Sequence, residues 1–315
     1  MVLGGGGAIG SAVLRRAAER GLEGHAVLRA GTSDERLDPC RGRVVSHRVD
    51  LADGEALGLL VRRVQPSVIV AAAFPPGHAT ADAVRRAHGS QMLANVFALF
   101  EALRARTGEV RLVLVGSAAA YGHQGGPCDP GRALRPQNFR GALKGAESLL
   151  TRQLAEEAGI PFVELRVFTA YGPYEQRDRL LPQLMRAALL GERVAILPEP
   201  RHRDWVHFED VADACLAAAA SHSADSAVFN VCSGPLHSVR EAAEAVQRIV
   251  GRTLIAEHSY SGRDHYGDAE PGLLPDAERF DWTPRVAFVA GLVSYWAWAR
   301  SEAGRRYLTQ AGSRT

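Results

Sequence analysis

The sequence predicts an α/β protein in which a doubly wound parallel sheet is joined to a smaller, discontinuous lobe. Over the first two-thirds of the chain, short apolar runs alternate with amphipathic stretches, the pattern of strands and helices in βαβ units. The runs lack polar alternation, as expected for strands buried on both faces. A glycine-rich turn joins the first run to the first amphipathic stretch, and the pattern loosens after Tyr171.

The predicted elements divide the chain into two parts. The strands are predicted at residues 2–3, 26–28, 44–45, 67–71, 111–115, 162–167 and 228–231. The helices are predicted at residues 9–20, 54–64, 81–104, 141–158 and 211–220. The larger domain then takes residues 1–170 and about 204–234, and the smaller lobe takes residues 171–203 and 235–315.

The composition argues against several functional classes. A net charge of +2 with no basic run gives no reason to expect a nucleic acid partner. The apolar runs are far shorter than the ~20 residues that span a bilayer, and no secretory signal is evident. Only three residues precede the first glycine, so we expect that the native chain starts upstream of Met1. The cysteines lack a CxxC pair, which argues against a metal site or disulfide framework and favours the reducing cytoplasm; they are Cys40, Cys128, Cys215 and Cys232.

The glycine-rich turn follows the first strand and opens the first helix. Gly4, Gly7 and Gly10 stand at GxxGxxG spacing, with Ala8 and Ile9 between the last two. Glycine is needed where a backbone turns tightly and where it approaches a pyrophosphate, and N–H groups at a helix N-terminus can bind the phosphates. At this place in the chain, the turn predicts dinucleotide binding in a Rossmann-type fold.

The end of the second strand indicates which dinucleotide is bound. NAD sites usually carry an Asp or Glu here for the ribose 2′-hydroxyl, and residues 29–33 contain none. Gly31, Thr32 and Ser33 leave room for a 2′-phosphate, with Arg29 or Arg36 near enough to neutralise it. We therefore expect NADPH, with NADH as the alternative. An exposed loop with no role in cofactor binding is the simpler interpretation.

Lys144 is the only lysine among the 37 Lys and Arg residues. In a composition so strongly biased towards Arg, a lysine is expected to persist where Arg cannot replace it. Arg is bulky, planar and permanently charged, whereas Lys is a compact ammonium on a thin stem that fits beside a ribose. The bias therefore predicts a function for Lys144. Chance survival on a helix surface is the alternative.

Five segments carry a family resemblance. Residues 139–147 look like a YGxxK…E stretch, residues 117–122 like SxxxYG, residues 166–173 like RxFNxYGP, residues 203–207 like RDYVH, and residues 282–284 like WxP. In this order and spacing they resemble the extended short-chain dehydrogenase/reductases, in particular the nucleotide-sugar epimerase and dehydratase branch. The resemblance covers nearly the whole chain and implies a Rossmann-type domain with a smaller substrate-binding lobe.

The resemblance also implies roles for individual residues. Ser117 is the catalytic serine, Lys144 binds the nicotinamide ribose, and Tyr121 shapes the nearby pocket. Phe168 lies beside the nicotinamide. The remaining implied cofactor contacts are to adenine and along the cofactor groove, at Asp50, Leu51, Ala72 and Ala73. A small-molecule substrate is implied, and a homodimer that pairs helices 81–104 and 141–158.

Three departures from the family pattern bear on function. Arg140 stands where the family has its catalytic tyrosine. Thr169 replaces the usual Asn, and residues 198–200 (Pro-Glu-Pro) replace the glycine-bearing turn that helps to hold a sugar-nucleotide diphosphate. The last two weaken the case for a nucleotide sugar. The first weakens the case for ordinary family chemistry.

The loss of the tyrosine leaves the source of the proton open. An arginine effectively never releases its proton, but it can stabilise a developing oxyanion. Candidate sources are Ser117, Tyr121, water acting through Lys144, or a hydroxyl of the substrate beside its carbonyl. Tyrosine-lacking family members that tailor aromatic polyketides, such as angucyclinone ketoreductases, are similar in this respect.

We therefore expect an NAD(P)H-dependent ketoreductase of a polycyclic aromatic ketone, acting in antibiotic biosynthesis with substrate-assisted protonation. Arg140 would then stabilise an alkoxide without protonating it. A nucleotide-sugar epimerase, dehydratase or reductase is the alternative enzyme. A catalytically inactive cofactor-binding protein is the alternative outside enzymes.

Overall fold

The computed structural model describes residues 1–75, 81–104, 106–196, 201–221, 226–256 and 269–310. The strands are β1 (Val2–Leu3), β2 (Gly24–Leu28), β3 (Val44–Arg48), β4 (Val68–Ala71), β5 (Arg111–Ser117), β6 (Phe162–Val167), β7 (Thr169–Tyr171), β8 (His202–His207), β9 (Ala227–Val231) and β10 (Leu236–Ser238). The α-helices are α1 (Ala8–Glu19), α2 (Gly54–Val64), α3 (Asp82–Arg104), α4 (Phe139–Glu157), α5 (Leu180–Leu190), α6 (Phe208–Ala220), α7 (Val239–Val250), α8 (Phe288–Arg300) and α9 (Glu302–Thr309). Two 3₁₀ helices, at Glu35–Cys40 and Ala118–Ala120, connect elements of the larger domain.

The larger sheet has seven strands in the order β3-β2-β1-β4-β5-β6-β9, and all of its pairings are parallel. One core on the sheet includes α1 and α6, and another includes α2, α3 and α4. Helices on both faces leave the central strands no solvent side, which explains their continuous apolar runs. The predicted doubly wound α/β fold is confirmed, with element ends shifted by a few residues.

The carboxyl ends of β1, β4 and β5 lie together at one edge of this sheet. Leu3 pairs with Ala71, and Ala71 pairs with Leu114, three residues before the end of β5. Ligands bind at this edge in open α/β sheets. The glycine turn, Ala72, Ala73 and Ser117 all follow directly from these strand ends.

A second, three-stranded sheet has the order β10-β8-β7. Our sequence analysis missed these strands because β7 and β10 have three residues each, and β8 reads His-Arg-Asp-Trp-Val-His without an apolar run. Residues 204–207, which the sequence analysis assigned to the larger domain, belong to β8 and pair within this small sheet. The next element, α6, packs on the large sheet again. Trp205, Tyr171 and Phe288 join the sheet to α5, α7, α8 and α9 in one apolar core.

Two features of the sequence analysis fall outside the described residues. The segment 198–200, which departs from the family's glycine-bearing turn, is one of them. The other is most of residues 258–274, a polar stretch of the smaller lobe that the sequence predicts to be a loop. Within the described ranges, no helix is long and apolar enough to cross a membrane.

Candidate active site

The three glycines of the turn have different structural tasks. Gly4 has φ of +79°, and a Cβ there would lie 2.7 Å from the Cα of Ala73. A Cβ on Gly10 would collide with the carbonyl oxygen of Gly4. Both residues therefore let β1, β4 and α1 approach one another, and neither position tolerates a side chain.

Gly7 differs because its backbone conformation does not require glycine and an added Cβ would have one close neighbour. It is exposed, its φ of −74° is open to any residue, and a Cβ would meet only the Gly4 carbonyl oxygen, at 3.2 Å. It is also the N-cap of α1, which has no side-chain cap for the N–H groups of its first turn, those of Ala8 and Ile9 among them. Unfilled space in front of an uncapped helix N-terminus is suited to phosphate.

The loop after β2 offers a cation and no free acid. Arg29 is exposed, and no hydrogen bond or ion pair joins its guanidinium to another residue in the part of the chain that the structure describes. A Cβ on Gly31 would meet nothing within 4 Å, and Thr32 is half-buried beside it. Ser33 is exposed, and its hydroxyl accepts from the Glu35 amide at 3.2 Å. The nearest acid, Asp34, lies 3.6 Å from the guanidinium of Arg48.

The other predicted cofactor residues follow β3, β4 and β6. Asp50 is exposed, and its carboxylate accepts from the Ala52 amide at 3.0 Å, while Leu51 packs on the core beneath α2 and α3. Ala72 donates from its amide to the Leu3 carbonyl at 3.0 Å, which holds it beside the glycine turn. Phe168 is half-buried between β6 and β7, and its amide donates to Val231 at 3.0 Å.

Ser117 ends β5 and turns the chain into a 3₁₀ helix. Its hydroxyl accepts from the Ala119 amide at 3.2 Å, and the residue is half-buried. A Cβ on Gly141 would collide with the Ala119 carbonyl, so only glycine lets α4 pack this closely on the turn. Arg140 and Lys144 are carried on this first part of α4. The close packing therefore brings both cations to the edge where Ser117 lies.

Lys144 is buried, with only 6% of its surface exposed. Its ammonium donates to the Glu147 carboxylate at 2.7 Å and to the Val115 carbonyl at 2.9 Å. It also lies 4.2 Å from the centre of the Phe74 ring. Burial raises the pKa of Glu147, and the charge of Lys144 opposes that shift. A lysine that survived by chance would be expected on the exposed surface of the helix. The burial and the three contacts of Lys144 argue against that alternative.

Arg140 lies beside the same aromatic ring. Its guanidinium carbon is 4.9 Å from the ring centre of Phe74, and it donates to the Pro75 carbonyl at 3.2 Å. Our sequence analysis missed both Phe74 and Glu147. The available signal for Phe74 was an aromatic residue directly after Ala72 and Ala73, which follow β4. The signal for Glu147 was its place as the acid of the YGxxK…E stretch, three residues after Lys144.

Tyr121 is fully buried and has a partner inside the protein. Its hydroxyl donates to the Asn230 side chain at 2.7 Å, and the Arg166 guanidinium lies 4.8 Å from its ring centre. Burial raises the pKa of Tyr121 to about 12. A phenol in this setting is a poor proton donor, so the geometry favours a packing role for Tyr121 over a catalytic one. Among the described residues there is no cluster of three His, Cys, Asp or Glu side chains that could hold a metal ion.

Comparison with known proteins identifies the family. The profile of the NAD dependent epimerase/dehydratase family matches residues 1–232. The chain belongs to this family. It is 26% identical to a UDP-glucose 4-epimerase of Streptococcus mutans serotype c, over 96% of each chain.

Solved structures show the same fold. The fold matches UDP-glucose 4-epimerase of Thermotoga maritima with UDP-glucose, at a TM-score of 0.83 and 20% identity, over 95% of this chain and 97% of that one. It also matches the UDP-glucose 4-epimerase of Thermus thermophilus in complex with NAD, at a TM-score of 0.80 and 25% identity, over 94% of this chain and 97% of that one. The predicted resemblance to the epimerase and dehydratase branch is thereby confirmed at the level of the family.

Proposed function

We propose that this protein is an NAD(P)H-dependent ketoreductase in which Arg140 takes the place of the family's catalytic tyrosine. The observation that carries the proposal is the pair of cations, Lys144 and Arg140, over the Phe74 ring, on the helix that follows the turn at Ser117 and lies at the carboxyl edge of the sheet. This group contains hydrogen-bond donors and positive charge, which suit a developing alkoxide. It contains no phenol to exchange a proton with the substrate.

The same group bears on how the carbonyl oxygen is handled. Hydride addition to a ketone creates an alkoxide, which a guanidinium and an ammonium stabilise. The alkoxide would take its proton from a neighbouring hydroxyl of the substrate, which solvent then reprotonates, because an arginine effectively never releases a proton. We propose reduction of the ketone as the working direction, with the hydride supplied by the reduced cofactor.

The substrate that we propose is a polycyclic aromatic ketone of the polyketide type, from a pathway of antibiotic biosynthesis. A hydroxyl beside the carbonyl could share its proton through an internal hydrogen bond, so an acid on the enzyme would be dispensable. The Phe74 ring would offer a flat ketone an aromatic surface for stacking. With four buried free cysteines, we place the enzyme in the cytoplasm.

A nucleotide-sugar epimerase, dehydratase or reductase is the second candidate. The relatives that carry nucleotide-sugar names favour it, since they span 96% of this chain. The observation against it is Arg140, because such enzymes act on sugar hydroxyls and need a group that can take the proton. A cofactor-binding protein without catalysis is disfavoured by Lys144, the single lysine of an Arg-rich composition, because a site without catalysis gives no reason for the change to Arg to be resisted there.

The residues around the glycine turn fit a dinucleotide. Open space at Gly7, together with the uncapped first turn of α1, would hold the pyrophosphate. Asp50 and Leu51 would contact the adenine, and Lys144 the nicotinamide ribose. The cofactor would supply the hydride. We propose NADPH because Arg29 has no acidic partner among the described residues, although a solved relative carries NAD.

Gly31 provides a test of the cofactor preference. Wild-type enzyme is expected to bind NADPH more tightly than NADH, and Gly31→Asp should reverse this order because a carboxylate repels the 2′-phosphate and accepts from a 2′-hydroxyl. The backbone at Gly31 has φ of +78°, which Asp and Asn tolerate better than other side chains. Gly31→Asn is thus the matched control of equal shape, and it should keep the order. Tenfold tighter wild-type binding of NADH would contradict the NADPH assignment.

Arg140 provides the test of the proposed chemistry. If the substrate relays its own proton, Arg140→Tyr should change the turnover of a hydroxyl-bearing ketone by less than about tenfold. Arg140→Ala should lower it by at most ~10²- to 10³-fold, the range for one lost oxyanion donor. Arg85→Ala is the matched control, because its guanidinium lies over Phe139, next to Arg140 in sequence. Turnover of ketones with and without a neighbouring hydroxyl is the measurement. A hundredfold gain in Arg140→Tyr, or equal rates for both ketones, would refute substrate-assisted protonation.

We also propose a homodimer that pairs α3 and α4. These helices pack side by side, and they expose Leu93 by 43% and Phe97 by 54%, one turn apart on α3, and Leu149 by 61% on α4. An exposed apolar face of this kind can be buried against the same face of a second copy of the chain. Wild-type protein should elute as a dimer in light-scattering chromatography, and Leu149→Glu should elute as a monomer. A monomeric wild type would exclude this arrangement.

A further inference from the structure

Arg36 joins three segments that are far apart in the sequence. It lies in the 3₁₀ helix Glu35–Cys40, after β2. Its guanidinium donates to the carbonyl of Gly6 at 3.0 Å, to the carbonyl of Tyr174 at 2.9 Å, and to the hydroxyl of Tyr307 at 2.6 Å. The first acceptor belongs to the glycine turn. The other two belong to the smaller lobe.

Tyr307 completes the smaller lobe's side of this contact. It lies on α9 with 2% of its surface exposed. Its hydroxyl is 3.2 Å from the Tyr174 carbonyl and 3.0 Å from the Glu175 carbonyl, either of which can accept its hydrogen. The guanidinium of Arg36 also lies 5.4 Å from its ring centre. One aromatic side chain thus fixes both the cation and the backbone that the cation contacts.

The Gly6 carbonyl is the link to the dinucleotide site. Gly6 directly precedes Gly7, the N-cap of α1. A Cβ on Gly6 would lie 2.8 Å from the Leu28 side chain, so the peptide is closely packed on the end of β2. A charge-assisted hydrogen bond to its oxygen fixes the orientation of the peptide before the N-cap. The direction of the free N–H groups of the first turn depends on that orientation.

We propose that Arg36 is a positioning residue that couples the smaller lobe's C-terminal helix to the geometry of the phosphate-binding turn. The inference rests on the proposed function, in which this turn holds the cofactor pyrophosphate. The α9 helix then contributes to dinucleotide affinity through Arg36 and Gly6. In this proposal Arg36 acts through the turn and not on a phosphate, because each of its three nitrogen atoms already donates within the protein, to Gly6, Tyr174 and Tyr307.

Two roles for Arg36 predict different cofactor dependence. A residue that binds the 2′-phosphate affects NADPH and leaves NADH unchanged, since NADH lacks that group. A residue that orients the turn affects both dinucleotides equally, since both carry the same pyrophosphate. The ratio of the two dissociation constants therefore distinguishes the roles without any knowledge of the substrate.

The experiment is a double-mutant cycle of Arg36→Met and Tyr307→Phe, with NADPH and NADH affinities measured by calorimetry. Arg36→Met should weaken both cofactors about tenfold, the effect of one charge-assisted hydrogen bond, and keep their ratio within twofold. Tyr307→Phe should weaken both about threefold, and the double variant should lose less than the product of the single losses. Arg36→Lys keeps the charge, and its affinities for both cofactors should lie between those of the wild type and of Arg36→Met.

Arg306→Ala is the matched control. Arg306 precedes Tyr307 on α9, and its exposed guanidinium contacts Asp38 of the same 3₁₀ helix at 2.8 Å. Both cofactor affinities should stay within twofold of wild type, because this pair does not reach the glycine turn. Loss of NADPH binding alone in Arg36→Met would assign Arg36 to the phosphate and overturn the inference. The inference would also be overturned if the losses of affinity in Arg36→Met and Tyr307→Phe simply multiplied in the double variant. The same holds if Arg36→Met kept both cofactor affinities and only lowered the free energy of unfolding. A wild type that binds neither dinucleotide would refute the proposed function itself.

Discussion

Removal of the Lys144 ammonium is expected to reduce turnover by at least a hundredfold and to weaken cofactor binding about tenfold. The ammonium is the group that we assign to the nicotinamide ribose, and hydrogen bonds to charged groups contribute about 1.5–3 kcal/mol each. A simple Lys144→Ala change would also leave the Glu147 carboxylate buried without its partner, 2.7 Å from where the ammonium was. Breaking a buried ion pair in this way typically costs about 3–5 kcal/mol of stability.

The experiment therefore needs a variant that separates folding from function. In Lys144→Met with Glu147→Gln, both charges are removed together, and the site stays filled with neutral side chains of similar size. This double variant should retain most of the wild-type free energy of unfolding and still lose activity. Glu147→Gln alone is the matched control: it should lower the free energy of unfolding, because the buried ammonium loses its counter-charge, and it should keep most of the activity of the folded protein, because the ammonium remains bonded to Val115. If the double variant showed the same turnover and cofactor affinity as the wild type, Lys144 would have no central role.

Gly7→Val is expected to abolish dinucleotide binding, with a loss of affinity of about a hundredfold or more, while the protein still folds. The backbone of Gly7 lies at φ −74°, which valine adopts readily, and the added Cβ meets only the Gly4 carbonyl at 3.2 Å. Its methyl groups would instead occupy the open space before the uncapped turn of α1. The pyrophosphate could then no longer approach those N–H groups.

A comparison within the same turn makes this test specific. Gly10→Ala would place a methyl group against the Gly4 carbonyl, so we expect a lower free energy of unfolding for that variant. Gly7→Val should show the opposite combination, with near-normal denaturant unfolding and no NADPH binding by calorimetry. Normal NADPH affinity in Gly7→Val would mean that the dinucleotide lies elsewhere.

The parts of the fold that sequence analysis predicted are those with local signals. The strands of the large sheet are continuous apolar runs because helices cover both of its faces. The glycine turn was recognisable because tight turning and close packing require glycine at Gly4 and Gly10. The small sheet was missed because its strands are short and polar, and their stability comes from burial against the smaller lobe.

For the candidate site, the sequence predicted where the residues lie along the fold better than it predicted which residues they contact. Ser117 ends β5, and Lys144 on α4 bonds the Val115 carbonyl two residues before it, so both lie at the same edge of the sheet; their roles stay a prediction. The contact of Phe74 with both cations was not predictable, because it joins residues 66 and 70 positions apart in the chain. Tyr121 illustrates the converse. Its motif suggested a place near the reacting atoms, but its hydroxyl is bonded to Asn230, 109 residues away.

The central claim is that this enzyme reduces a ketone without a phenol of its own. Its most direct test is deuterium transfer from [4-²H]NADPH, followed by mass spectrometry, with a polycyclic aromatic ketone that carries a neighbouring hydroxyl. UDP-glucose in a parallel reaction tests the second candidate. We expect one deuterium at the new carbinol carbon of the polycyclic product, and UDP-glucose recovered unchanged. Conversion of UDP-glucose to its 4-epimer or a 4-keto product, with no deuterium in the polycyclic compound, would contradict the account.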